Sequence, residues 1–160
     1  MRYFFLCVLS LALLAQTRPE TLINKKLDAW HVAASQADEK AYFDLIHPEG
    51  IFMGTDATER WTKDQFLTYA RPFFSKGKGW SFKSIRRSVT FSKDGQTAWF
   101  DEDLDTPNLG PARGTGVLVQ TISGWKIILY NLTITVPNPL MPNIKNQIEL
   151  FLKNTYKGDL

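Results

Sequence analysis

From about residue 80 to 136 the chain reads as one strand-length segment after another, roughly 80–92, 96–105, 112–122 and 125–136. This succession constrains the fold more than any other feature of the sequence. Two of the connections carry hairpin chemistry: Lys93, Asp94 and Gly95 between the first pair, and Ser123 and Gly124 between the last, where glycine takes positive φ without steric cost. Segments joined so closely pair antiparallel, so a meander is expected.

The N-terminal half has the other period. Ile23, Leu27, Trp30, His31 and Ala34 recur at helical spacing and predict an amphipathic helix ending near Gln36. Asp38 is placed to cap a second, shorter helix that turns Ala41, Tyr42, Leu45 and Ile46 inward and stops before Pro48. Pro48, Glu49 and Gly50 then turn into a short apolar strand, Gly50–Met53. Thr62 suits the N-cap of a third helix with Phe66, Leu67, Tyr69 and Ala70 on its apolar face, and Pro72 should kink or end it. After Pro137, Pro139 and Pro142, the residues Ile144, Ile148, Phe151 and Leu152 predict a terminal amphipathic helix ending by Gly158. Helices followed by an antiparallel sheet predict an α+β domain with helices against one sheet face.

Residues 1–15 place Arg2 before an apolar run from Tyr3 to Ala15, the layout of a signal peptide. The run is shorter than the roughly 20 residues a membrane span needs. The expectation is export, to the periplasm or the medium, with no membrane association once the leader is removed, a domain over 20–136 and a helical extension over 137–160. The single cysteine, Cys7, lies in the leader. The mature chain therefore has no disulfide, thiolate metal site or cysteine nucleophile. The formal charge of +3 drops by one with Arg2, and Lys76, Lys78, Lys83, Arg86 and Arg87 read as a solvated face, which gives no support to nucleic-acid binding.

Candidate site residues fall in three segments: Gly54–Trp61 (GTDATERW), Ala98–Glu102 (AWFDE) and Trp125–Thr133 (WKIILYNLT). Each mixes ionisable, hydroxyl or amide groups with strands that otherwise look buried, as the rim of a pocket would. These segments, with Arg113–Leu118 (RGTGVL), resemble the SnoaL-like branch of the nuclear-transport-factor-2-like superfamily over about residues 20–136. The resemblance implies a cone in which a curved, mostly antiparallel sheet wraps the helices around a pocket. Members include isomerases, cyclases, dehydratases and binding modules without catalysis, so the resemblance speaks for fold more than for reaction. Several relatives carry histidine near the end of the sheet where this chain has Asn131.

On β-alternation Trp99, Asp101 and Asp103 share one face and Ala98, Phe100, Glu102 and Leu104 the other, and only one set can face the cone. Asp101 in an apolar pocket would have a raised pKa and could act as general base or acid. The competing and preferred reading pairs Asp101 with Arg113 across a hairpin centred near 107, leaving Glu102, Asp103 and Asp105 solvated. Asp56 is the second candidate catalytic carboxylate, against a capping role in a turn that includes Glu59. Trp61, Trp99 and Tyr130 are candidate pocket walls, Arg113 a candidate for a ligand carboxylate, and Asn131 a hydrogen-bonding group. His31 reads as a buried, hydrogen-bonded helix residue. Two histidines without a convergent carboxylate pattern imply no metal, and the glycines lack phosphate-loop spacing; no cofactor is expected.

Two functions stay open: binding of a small, partly apolar ligand without catalysis, or a cofactor-independent isomerase, cyclase or dehydratase using a pocket carboxylate. A homodimer is also expected, through an outer apolar stripe of Ile128, Tyr130, Leu132 and Ile134.

Overall fold

The computed structural model describes residues 19–155. The leader and its cleavage site lie outside the described residues. Helix α1 (Pro19–Ser35) buries Ile23, Leu27, Trp30, His31, Ala33 and Ala34. Helix α2 (Glu39–Leu45) starts at Asp38, whose carboxylate accepts from the Ala41 amide. Strand β1 (Ile46–Met53) follows directly, so Pro48–Gly50 lie within an irregular strand with a register shift between Ile46 and Ile51. A short β2 (Arg60–Thr62) precedes α3 (Lys63–Phe74), which opens on a capping box between Thr62 and Gln65. Pro72 sits inside α3, which runs on for two more residues. The meander follows as β3 (Lys83–Phe91), β4 (Thr97–Asp105), β5 (Ala112–Thr121) and β6 (Gly124–Ile134).

The six strands form one sheet in the order β2-β1-β6-β5-β4-β3, antiparallel except for the parallel β1–β6 pair. One face carries the three N-terminal helices and the core, in which Tyr42, Phe66, Ile23, Leu27, Leu104 and Leu118 are fully enclosed. On β4 the inward set is Ala98, Phe100, Glu102 and Leu104.

On β6 the inward residues are Trp125, Ile127, Tyr130 and Leu132. Ile127 and Tyr130 are three residues apart, yet both point in. A bulge opposite Val117 and Leu118 inserts a residue and inverts the alternation. The outer stripe expected on β6 is corrected accordingly: Tyr130 and Leu132 belong to the core, while Ile134 stays exposed.

Beyond the sheet, a short 3₁₀ turn at Asn138–Leu140 leads to α4 (Met141–Thr155), none of whose residues is buried. No described helix is long and apolar enough to cross a membrane.

Candidate functional site

Inside the mouth of the sheet lies an open cavity of about 230 Å³. Its wall is mainly aromatic: Phe52 from β1, Trp61 from β2, Phe66 and Tyr69 from α3, and Trp80 and Phe82 from the segment before β3. Trp61 stacks against both Tyr69 and Phe66, with ring centroids 4.7 and 5.6 Å away, and Phe52 stacks on Phe66 at 3.9 Å. The capping box at Thr62 is what sets Phe66 and Tyr69 on the side of α3 that meets this stack. Leu109 and Leu132 complete the apolar part, and Thr55, Ser81, Thr106 and Asn108 add polar groups. Among the described residues, Glu59 supplies the single acidic side chain of the wall.

Behind the wall lies a buried ionic cluster, two of whose members, Glu102 and Arg87, are expected from sequence to be solvated. Glu102 is fully buried on β4. Its Oε1 accepts from His31 Nε2 at 2.9 Å and, more weakly, from the Tyr130 hydroxyl at 3.5 Å. Its Oε2 accepts from Arg87 Nε at 2.9 Å, and Arg87 Nη2 makes an ionic contact at 2.8 Å without an aligned hydrogen bond. Arg87 Nη1 reaches on to the Asn24 carbonyl at 3.2 Å and Asp28 Oδ1 at 2.9 Å, tying β3 to α1. Strand pairing opposes Arg87 and Glu102 directly.

Gly114 faces Glu102 from the other side, where a Cβ would stand 2.4 Å from the Tyr130 hydroxyl and 2.9 Å from Glu102 Oε1. Glycine is therefore required for the cluster to close. Burial alone would push the Glu102 carboxyl up; the hydrogen bond and charge of His31, with the charge of Arg87, outweigh it and hold the carboxyl below its ordinary range. The Tyr130 hydroxyl is pushed well up by burial and by the neighbouring Glu102 charge, so it stays protonated.

The cluster and the cavity are separated by one layer of rings. Phe82 lines the cavity and lies 6.0 Å from His31, and Phe52 lines it and lies 5.4 Å from Tyr130. His31, Arg87, Glu102 and Tyr130 are not part of the wall. A carboxylate already held by Arg87 and His31 behind a wall of rings is built to fix α1 against the sheet rather than to take a substrate proton.

Of the candidates named from sequence, Trp61 is on the cavity wall and Tyr130 is in the core behind it. Asp101, Trp99, Arg113 and Asn131 stand on the opposite face of the sheet. Asp101 lies 3.9 Å from Arg86 there, and the Asn131 amide donates to the Thr133 hydroxyl at 3.3 Å. The expected Asp101–Arg113 pair is corrected. The loop bonds the Gly110 amide to the Thr106 carbonyl and centres the hairpin near residue 108, which opposes Arg113 to Asp103, with Nε 3.7 Å from Oδ1.

Asp56 is exposed in the loop before β2, where it accepts from the Thr58 hydroxyl and amide at 2.6 and 2.8 Å, contacts that hold its carboxyl below the ordinary range. The Arg86–Arg87 face is corrected too, because Arg87 turns inward. The signal for Glu102 was available in the sequence, as a lone acid in the apolar set Ala98, Phe100 and Leu104. Among the described residues, no group of three or more His, Cys, Asp or Glu side chains could hold a metal ion.

The family model for the SnoaL-like domain matches residues 23–137. The chain belongs to the SnoaL-like domain family. A search of curated proteins finds no match. Among solved structures, an NTF2-like protein of unknown function from Pseudomonas putida is similar, with a TM-score of 0.63 at 11% identity, covering 77% of this chain and 91% of that one. A candidate ketosteroid isomerase from Parabacteroides distasonis gives 0.59 at 20% identity, covering 79% and 94%. A candidate scytalone dehydratase from Novosphingobium aromaticivorans gives 0.60 at 10% identity, covering 71% and 82%. At these identities the likeness is one of fold, and it confirms the α+β, nuclear-transport-factor-2-like architecture for this SnoaL-like chain.

Proposed function

We propose that this SnoaL-like domain binds a small, partly apolar ring compound in the aromatic cavity. The observation that carries the reading is the wall itself, six aromatic side chains around about 230 Å³ with a few hydroxyl and amide groups among them. Drug-sized pockets run to about 300–1,000 Å³, so the occupant is smaller. Aromatic rings supply large contact area at little entropic cost, and the polar groups orient the ligand.

A catalytic reading is supported less well. Asp101 and Asp56 do not line the cavity, and Glu102 is committed to Arg87 and His31. Among the described residues of the wall, proton transfer would fall to Glu59. Titration with 2-phenylethanol, followed by the fluorescence of Trp61 and Trp80, tests the binding reading. Saturable quenching at millimolar or lower concentration is expected, and an unsaturating, solvent-like response contradicts it.

Export is proposed on the charge and apolar pattern of residues 1–15. Intact-mass measurement of the protein from its own host should show the leader gone. Self-association through the outer sheet face is supported by exposed Trp99, which pairs with Val117 of β5. A monomer at all micromolar concentrations in sedimentation would rule it out.

A further inference from the structure

We infer that the cavity selects organic cations: its ligand joins an apolar ring to a protonated amine or another alkylammonium group, and Glu59 holds that charge. The inference rests on the ligand-binding reading above and adds the chemical class. Among the described residues Glu59 is the one acidic side chain of the wall, and no Lys, Arg or His side chain contributes to it. A ligand entering this space displaces water from the carboxylate, and leaving a charge without a partner in apolar surroundings is costly. A neutral ligand offers only partial compensation, and an anion adds repulsion. An ammonium group supplies the missing partner, and the electron-rich ring faces beside it attract the same charge.

The position of Glu59 is built rather than incidental. Its carbonyl accepts from the Gly54 amide at 2.9 Å, and its own amide donates to the Asp56 carbonyl at 3.0 Å. The Asp56 amide donates to Glu59 Oε2 at 3.2 Å, while the Asp56 carboxylate is fixed by Thr58. A Cβ at residue 54 would stand 2.1 Å from Glu59 Oε2, so Gly54 is the residue that leaves room for the carboxylate. With Oε2 turned to the loop amide, Oε1 is left for the ligand. Asp56, singled out from sequence as a carboxylate of interest, thereby becomes the residue that positions another one.

Isothermal titration of the purified protein with phenethylamine, 2-phenylethanol and 3-phenylpropionate compares one ring with a positive, a neutral and a negative tail. Phenethylamine is expected to bind about tenfold more tightly than the alcohol, the effect of one close opposite charge at partial exposure, and the carboxylate least tightly. In Glu59→Gln the amine should lose that advantage over the alcohol, with circular dichroism to show that the variant is folded. Alcohol binding with no preference for the amine overturns the inference and leaves the cavity reading intact. An amine preference that survives in Glu59→Gln overturns the role given to Glu59. Failure of all three probes overturns both readings together.

Discussion

Glu102 and Asp103 are neighbours on β4, and each faces an arginine on an adjoining strand, Arg87 on β3 and Arg113 on β5. The chemistry of the two pairs is the same and the setting is not. The Glu102 and Arg87 side chains are 0% and 5% exposed, whereas those of Asp103 and Arg113 are 37% and 52% exposed. A one-residue step along a strand crosses the sheet. It moves an ion pair from the interior, where desolvation is severe and a lost partner leaves a stranded charge, to the surface, where water and salt replace most of the attraction. The two faces therefore differ in what a charge is for: on the inner face it locks α1 to the sheet behind the cavity, and on the outer face it keeps the surface hydrated.

The largest effect should come from Arg87→Met. It leaves the buried Glu102 carboxylate with His31 and the long hydrogen bond from Tyr130, and urea unfolding should report a loss of roughly 3–5 kcal/mol. A loss below about 1 kcal/mol would mean that the two faces are energetically alike.

Acid stability sharpens the same point. The Glu102 carboxyl is held below its ordinary range in the folded protein, so the stability it contributes is fully present above the unfolded value, about 4.3, and is lost as pH falls through the lower folded value. The wild type should lose stability progressively below about pH 4.3, and Glu102→Gln, less stable at neutral pH, should show a shallower acid limb. Parallel acid limbs would contradict this.

On the outer face, Arg113→Met should cost only about 0–1 kcal/mol. Asp101→Asn, with its carboxylate half exposed and 3.9 Å from Arg86, should stay within about 0.5 kcal/mol and leave ligand binding unchanged.

The elements of this fold were legible because local chemistry announces them. Asp38 and Thr62 cap the helices that their side chains predict, and the turns at Gly95 and Gly124 join the strands that flank them. What alternation does not carry is its absolute sense. Trp99 drew attention to the set that contains Asp101, yet that set holds two acids among its alternating positions, while the set with Phe100 and Leu104 holds one.

The bulge near Ile128 and the parallel β1–β6 pairing join residues distant in sequence and leave no local mark. The site was half legible for the same reason. Trp61 was recognised from a segment rich in polar and aromatic groups, whereas Phe82, Trp80 and Tyr69 reach the cavity only through the tertiary arrangement. Glu59 was read as the far end of a cap, which it is, and its second face toward the cavity needed the fold to be seen.

Two tryptophans place the functional claim on the same comparison, Trp61 on the cavity wall and Trp99 on the outer face. Titration of 2-phenylethanol into Trp61→Ala and Trp99→Ala, with circular dichroism to verify folding, tests it most directly. The aromatic cavity predicts that Trp61→Ala weakens binding by about tenfold or more, equal to roughly 1.4 kcal/mol, while Trp99→Ala binds as the wild type does. Undiminished binding in Trp61→Ala, or a loss confined to Trp99→Ala, would contradict it.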